Sequence, residues 1–152
     1  MRKVAVDLVG KLGLRLEIEF LELDDDNYCC VGFDDVVVNF EYEEEREEFL
    51  LFARVADAPG EPSRRYIEEV LDLSYGGMLT SGGCLGLDSP GGAVMFADRI
   101  PLRGLCEDSF EAAVKNFVDR AEEWGRLFAG PEFTRATAAG PNLGDMGEMM
   151  RI

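Results

Sequence analysis

The sequence predicts an α+β fold: a helix, an antiparallel three-strand meander, a second helix, a two-strand hairpin and a third helix. Three observations carry the prediction. Large apolar residues from Phe110 to Phe128 recur at steps of three and four, the mark of a helix with one buried stripe. Three apolar runs, 28–33, 36–42 and 49–55, come one after another with only tight acidic turns between them, so neighbours in sequence pair in space. Two further short runs, Cys84–Leu87 and Ala93–Phe96, flank Ser89-Pro90-Gly91.

Taken in order, Val4, Leu8 and Leu12, with Ala5 and Val9 beside them, predict a first helix that Gly13 ends. Leu14-Arg15-Leu16-Glu17-Ile18-Glu19-Phe20 alternates apolar and charged, which predicts a strand with one greasy face, although Leu21-Glu22-Leu23 slips register. Asp24-Asp25-Asp26-Asn27 predicts a turn into the meander. In the middle strand Val36, Val38, Phe40 and Tyr42 share one face, and Asn39, Glu41 and Glu43 the other, so the sheet has a buried side and a wet side. Ala58-Pro59-Gly60-Glu61-Pro62 breaks the chain, and Ser63 caps a second helix. That helix carries Tyr66, Ile67, Val70, Leu71 and Leu73, a stripe too wide for one contact. A helix apolar on more than one side is buried on more than one side, and a second copy of the chain is the simplest further cover.

The hairpin takes Pro90 at the second position of a turn and Gly91 at the third, where a type II turn requires positive φ. Asp108 and Glu111 have capping-box spacing ahead of the last helix, which presents Phe110, Val114, Phe117, Ala121, Trp124 and Phe128. Residues 1–129 therefore form the domain. Residues 130–152 turn to Gly, Pro, Thr and Ala, end in Met146, Met149, Met150 and Ile152, and show no periodic core pattern, so they read as a tail.

Composition narrows the function. With 152 residues the chain suits one domain that buries roughly two-thirds of its unfolded surface without a metal or disulfide. A formal charge of −16 repels nucleic acid and anionic membrane, leaving basic or apolar partners. The chain contains no histidine, which removes the commonest general base, the Ser/His and Cys/His nucleophile pairs and the most usual transition-metal ligand. Cys29, Cys30, Cys84 and Cys106 have no C-x-x-C spacing and read as buried fillers in a reducing compartment. No stretch reaches the roughly twenty apolar residues of a membrane span, and Met1-Arg2-Lys3 leads into an amphipathic segment rather than a leader, so the expected location is the cytosol.

No motif carries chemistry. "GGCLGLDSPGGAVMFADRIPL", residues 82–102, matches neither phosphate-loop spacing, and its Gly91-Gly92 leads into Ala93-Val94-Met95-Phe96 rather than a cation and a helix start. The run Asp24–Asn27 lacks the alternate ligands, central Gly and closing Glu of a calcium loop. Pairing Asp34 with Asp88 or Asp98 as acid and base has less support than reading each as a turn or surface residue. Glu43–Glu48 reads as a solubilising turn before a docking strip. What remains is surplus apolar character: both faces of Phe49–Val55, the alternation from Leu14 to Phe20, and the wide stripe of the second helix. On an acidic soluble protein such surplus implies partner binding.

Order and residues together resemble the class I type III secretion chaperones, the Tir-chaperone (CesT-type) family. The resemblance rests on "LGL" at Leu12–Leu14, "FDD" at Phe33–Asp35, "LLFARV" at Leu50–Val55, "GGCLGLDSPGGAVMFADRIPLRGL" at Gly82–Leu105 and "FVDRAEEW" at Phe117–Trp124. It covers nearly everything to Ala129. Leu16–Asp26 is longer than the family's usual link, and the tail after Gly130 lies outside the pattern.

The resemblance implies a bacterial cytoplasmic homodimer, without cofactor or catalytic residues, that holds the non-globular N-terminal region of a secreted effector and passes it to the secretion ATPase. For the dimer interface the expected residues are Tyr66, Ile67, Val70, Leu71 and Leu73, with Met78 and Leu79 at its edge. For effector contact they are Val4, Leu8, Leu16, Ile18 and Phe20 near the first helix, with Val38 and Phe40 on the sheet. The rival readings are a regulatory or stress protein of similar shape, as in the YbjN type, a small hydrolase using carboxylates only, and an acidic mimic that blocks a nucleic-acid-binding protein.

Overall fold

A computed structural model describes residues 1–75 and 82–138. Its elements run α1 (Arg2–Arg15), β1 (Tyr28–Phe33), β2 (Val36–Glu43), β3 (Glu48–Asp57), α2 (Arg64–Ser74), β4 (Cys84–Asp88), β5 (Ala93–Pro101), α3 (Glu107–Ala129) and α4 (Pro131–Ala138). The expected meander and hairpin are present but are not separate: they join into one five-stranded antiparallel sheet in the order β1-β2-β3-β5-β4. The long β3–β5 ladder, from Glu48↔Pro101 to Asp57↔Ala93, makes that join.

One face of the sheet carries the core. Buried Val38, Phe40, Phe49, Leu51, Val94 and Phe96 meet the stripe Phe110, Val114, Phe117, Ala121, Trp124 and Phe128 of α3, and Ala5, Leu8, Val9 and Leu12 of α1 complete the cluster. Rings dominate: Phe49 stacks on Phe110 with centroids 5.1 Å apart, and Phe96 on Phe117 at 5.0 Å. Arg120 of α3 reaches into this layer, 5.2 Å above the Phe96 ring, and meets Asp98 of β5 at 2.6 Å. Asp98 is thus held in an ion pair with a helix residue that also covers the core.

The Leu14–Phe20 segment is not a strand. Leu14 and Arg15 finish α1, and the chain then folds back on the helix as a loop. A Cβ at position 13 would lie 2.6 Å from Leu21 Cβ, so only glycine admits the loop there, and Gly13 sits inside the helix rather than ending it. Glu17 and Phe20 adopt left-handed φ of 57° and 60°, which interrupts any extended run. The loop continues through an Asx turn in which Asp24 Oδ1 accepts the Asp26 and Tyr28 amides, each at 2.9 Å.

Three smaller expectations are corrected. Positive φ in the β4–β5 turn falls on Gly92 rather than Gly91, because Asp88 Oδ1 holds the Gly91 amide at 3.1 Å. The cap of α3 is Cys106 with Ser109, not Asp108 with Glu111, the Cys106 amide donating to Ser109 Oγ at 2.9 Å. Cys29 is buried, and burial pushes its thiol up to about 12, but Cys30, Cys84 and Cys106 are exposed. Ser63 caps α2 as expected, accepting the Tyr66 amide at 3.2 Å. Residues 131–138, which show no periodic pattern, form α4.

Candidate functional site

The pleat sends alternate residues of each strand to opposite faces, so every core residue of the sheet has a neighbour facing away from the core. In β2 buried Val36, Val38, Phe40 and Tyr42 alternate with Val37, Asn39, Glu41 and Glu43. Pairing aligns the outward residues into rows: Cys30, Asn39, Phe52, Ala97 and Cys84 form one, and Arg54, Met95 and Gly86 part of the next. α1 and α3 pack on the inner face, and α2 lies against β4, where Ser74 Oγ accepts the Leu85 amide at 2.9 Å. No described helix lies over the outer face. Its middle is apolar, with Val37 53% exposed and Phe52, Met95 and Ala97 half-buried.

Polar groups bound this patch on one side. The Tyr28 hydroxyl donates to Asn39 Oδ1 at 2.5 Å, and the Asn39 amide donates to the Phe52 carbonyl at 3.0 Å. Beyond them Arg99 joins Glu43, at 2.9 Å, to Glu48, and its guanidinium holds the Glu43 carboxyl below the usual range. The acidic 43–48 turn is therefore partly neutralised within the chain. An apolar strip with an acidic border suits a segment of apolar side chains flanked by basic ones.

A second apolar surface lies along α1. A cleft of about 450 Å³ is lined by Val6, Gly10, Leu14, Ile18 and Leu21, with acidic Asp7, Glu19 and Glu22 at its rim. Leu14 is 79% and Phe20 92% exposed, the latter held outward by the left-handed loop. The helix beneath is anchored: Arg15 meets Asp108 of α3 at 2.7 Å and also pairs with Glu111, and Lys11 pairs with Glu107. The third surface is the outward side of α2 and its C-cap, where Leu71 is 60% and the cap residue Tyr75 80% exposed and Ile67 is half-buried.

The expected residues divide by depth. Of the effector set, Phe20 is exposed and Ile18 half-buried in the lining of the α1 cleft, Val4 is exposed on α1 and Leu16 half-buried against the core, whereas Leu8, Val38 and Phe40 lie in the core without surface to offer. The sheet residues that do face outward, Val37, Phe52 and Met95, were not among those expected. Alternation shows that a strand has two faces but not which one the helices cover, and register across five strands is not local information. Of the dimer set, Ile67 and Leu71 face outward, while Tyr66 and Val70 are buried within the chain and Leu73 is half-buried. Met78 and Leu79 lie outside the described residues.

The clefts are open. One, of about 650 Å³ between the β1–β2 turn and the end of α3, is lined by Asp34, Asp35, Arg54, Glu122 and Arg126 among others, and Arg54 is already held by Asp57 at 2.5 Å. Among the described residues no three His, Cys, Asp or Glu side chains converge to hold a metal. No described helix is long and apolar enough to cross a membrane.

A small α+β protein with unpartnered apolar surfaces and an acidic exterior defines a class of binding proteins. The chain belongs to the Tir chaperone protein (CesT) family, whose family model matches residues 7–125, and it is accordingly a type III secretion chaperone. Among solved structures it resembles the ExsC–ExsE complex, with 27% identity, a TM-score of 0.71 and coverage of 82% of this chain and 92% of that one. The HopA1–SchA chaperone–effector complex has 21% identity and a TM-score of 0.66, covering 82% and 94%. The Yersinia pestis type III secretion chaperone SycH, in complex with a stable fragment of YscM2, has 16% identity and a TM-score of 0.58, covering 79% and 98%. The last two are likenesses of fold. No curated protein matches the chain by sequence.

Proposed function

We propose that this protein is a homodimeric chaperone of the bacterial cytoplasm that holds the non-globular N-terminal region of a secreted effector, keeping it soluble and unfolded for export. The observation that carries the reading is the outer face of the sheet, an apolar strip that no described helix covers. An extended segment laid over Val37, Phe52 and Met95 and continued to the α1 cleft buries what the free chain exposes. Main-chain pairing to an edge strand supplies affinity, and alternate side chains supply selectivity. Leu71 and half-buried Ile67 of α2, with Tyr75 at its C-cap, serve the contact between two copies. One of the similar structures is itself a chaperone–effector complex and another is a type III secretion chaperone in complex with a fragment of YscM2, which supports a cargo of that kind. The chaperone performs no bond chemistry, and the loaded complex is passed to the secretion ATPase.

Purification from native cells at physiological salt, with mass spectrometry of co-purifying chains and light scattering of the complex, tests this. Two copies of this chain with one larger protein, held through that protein's N-terminal region, is the expected result. A bare dimer under conditions of active secretion would favour the regulatory reading, and a monomer would remove the α2 interface.

A further inference from the structure

The helix α4 lies beyond the residues that the family model matches, and it is seated on a groove wider than itself. Its Phe133 is wedged between Phe128 of α3, ring centroids 4.7 Å apart, and Tyr66 of α2, at 5.4 Å, both edge-on. Open clefts of about 550 and 560 Å³ flank that ring. One is lined by Leu73, Leu127 and Pro131, the other by Ala58, Pro59, Tyr66 and Phe128. Among the described residues α4 therefore fills only the middle of an apolar channel between α2 and the end of α3.

The occupant is held lightly. It has eight residues, below the roughly twelve that sustain a helix without tertiary support. The Thr134 and Thr137 hydroxyls donate back to the carbonyls of Gly130 and Phe133, at 3.2 and 2.9 Å. Gly130, in an extended conformation, separates α4 from α3. Every charged residue lining the two clefts, Asp57, Glu61, Glu69 and Glu132, is acidic.

We propose that this channel is a docking site for a short amphipathic helix of a partner protein, one with an aromatic anchor and basic flanks, and that α4 is its resident competitor. The aromatic anchor follows from the Tyr66–Phe128 seat, the helical form from what occupies it now, and the basic flanks from the acidic lining. The site is separate from the outer sheet face, and its failure would leave the effector-binding reading intact.

The test uses the full chain and a labelled peptide copying residues 129–140 as probe. Half-burial of one phenylalanine leaves about a tenth of the molecules open, so Phe133→Ala, which vacates the seat, should bind the peptide about tenfold more tightly than the unaltered chain. A peptide carrying Phe133→Ala should bind the vacated chain about tenfold more weakly, and Tyr66→Ala added to that chain should weaken binding by a similar factor. A peptide with Glu132→Lys should bind several-fold more tightly at low salt and lose that gain as salt rises. Equal binding by both chains, no binding by the vacated one, or no gain from the added lysine overturns the proposal. Hydrogen exchange on the unaltered chain gives a reading that needs no variant: α4 amides should exchange orders of magnitude faster than those in the middle of α3. Equal protection would show α4 to be a fixed part of the core and would overturn its role as a competitor.

Discussion

Adjacent valines in β2 separate folding from binding. Val38 is fully buried against α3, whereas Val37 points the other way and is 53% exposed on the uncovered face. Val38→Ala removes two buried methyl groups, worth about 1.6 kcal/mol in transfer free energy, and leaves a void that adds about 1 kcal/mol, so stability should fall by about 2–3 kcal/mol. Val37→Asp gives up only half-buried area and some strand preference, and should cost about 1 kcal/mol or less. Urea unfolding followed through Trp124, the sole tryptophan and buried beside Phe96 and Phe128, measures both. Co-purification of cargo supplies the second axis: Val38→Ala should retain cargo at concentrations where it is folded, and Val37→Asp should lose most of it. Two variants of similar stability would refute the face assignment. A Val37→Asp chain that carries wild-type levels of cargo would refute the outer face as the binding surface.

Other outcomes rest on single contacts. The Tyr42 hydroxyl is buried without a hydrogen-bond partner among the described residues, so Tyr42→Phe should raise the urea midpoint by the equivalent of about 1 kcal/mol. Arg99 holds the Glu43 carboxyl below its ordinary value, so the stability it lends is complete above about pH 5 and drains as pH falls through the lowered folded value. Arg99→Gln should therefore give a shallower acid limb in urea midpoints between about pH 5 and 3, and parallel limbs would contradict it. Aspartate at both Leu71 of α2 and Tyr75 at its C-cap, each exposed, should leave circular dichroism unchanged and halve the mass seen by light scattering.

Legibility in the sequence tracked how local the cause was. The α3 stripe was readable because six large residues repeat on one helix, and the Ser63 cap because one hydroxyl meets one amide three residues on. The segment 14–20 misled because period-two alternation is necessary for a strand but not sufficient. Its fate was set by Leu21 reaching Gly13 and by two left-handed residues, neither visible as hydropathy. α4 was invisible because eight residues with one large anchor define no period. The inward and outward residues of the sheet were not told apart for a related reason. Val38 and Phe40 are the greasier choices in their strand, but greasiness ranks residues for the core first, and a partner takes what the core leaves.

That ordering explains why acidity and apolar surface occur together here. A sheet covered on both faces would need no partner and no unusual charge, whereas one covered on a single face exposes a strip that could pair with its own copies. The formal charge of −16 opposes such self-association at long range. At short range the outer face carries Glu41 and the α1 cleft Asp7, Glu19 and Glu22, so a second copy of either surface brings like charge against like charge. A segment with apolar side chains and basic flanks meets no such penalty. On the proposed reading the same carboxylates keep the free protein dispersed and select what it binds, and the discrimination between self and cargo should weaken as salt screens them.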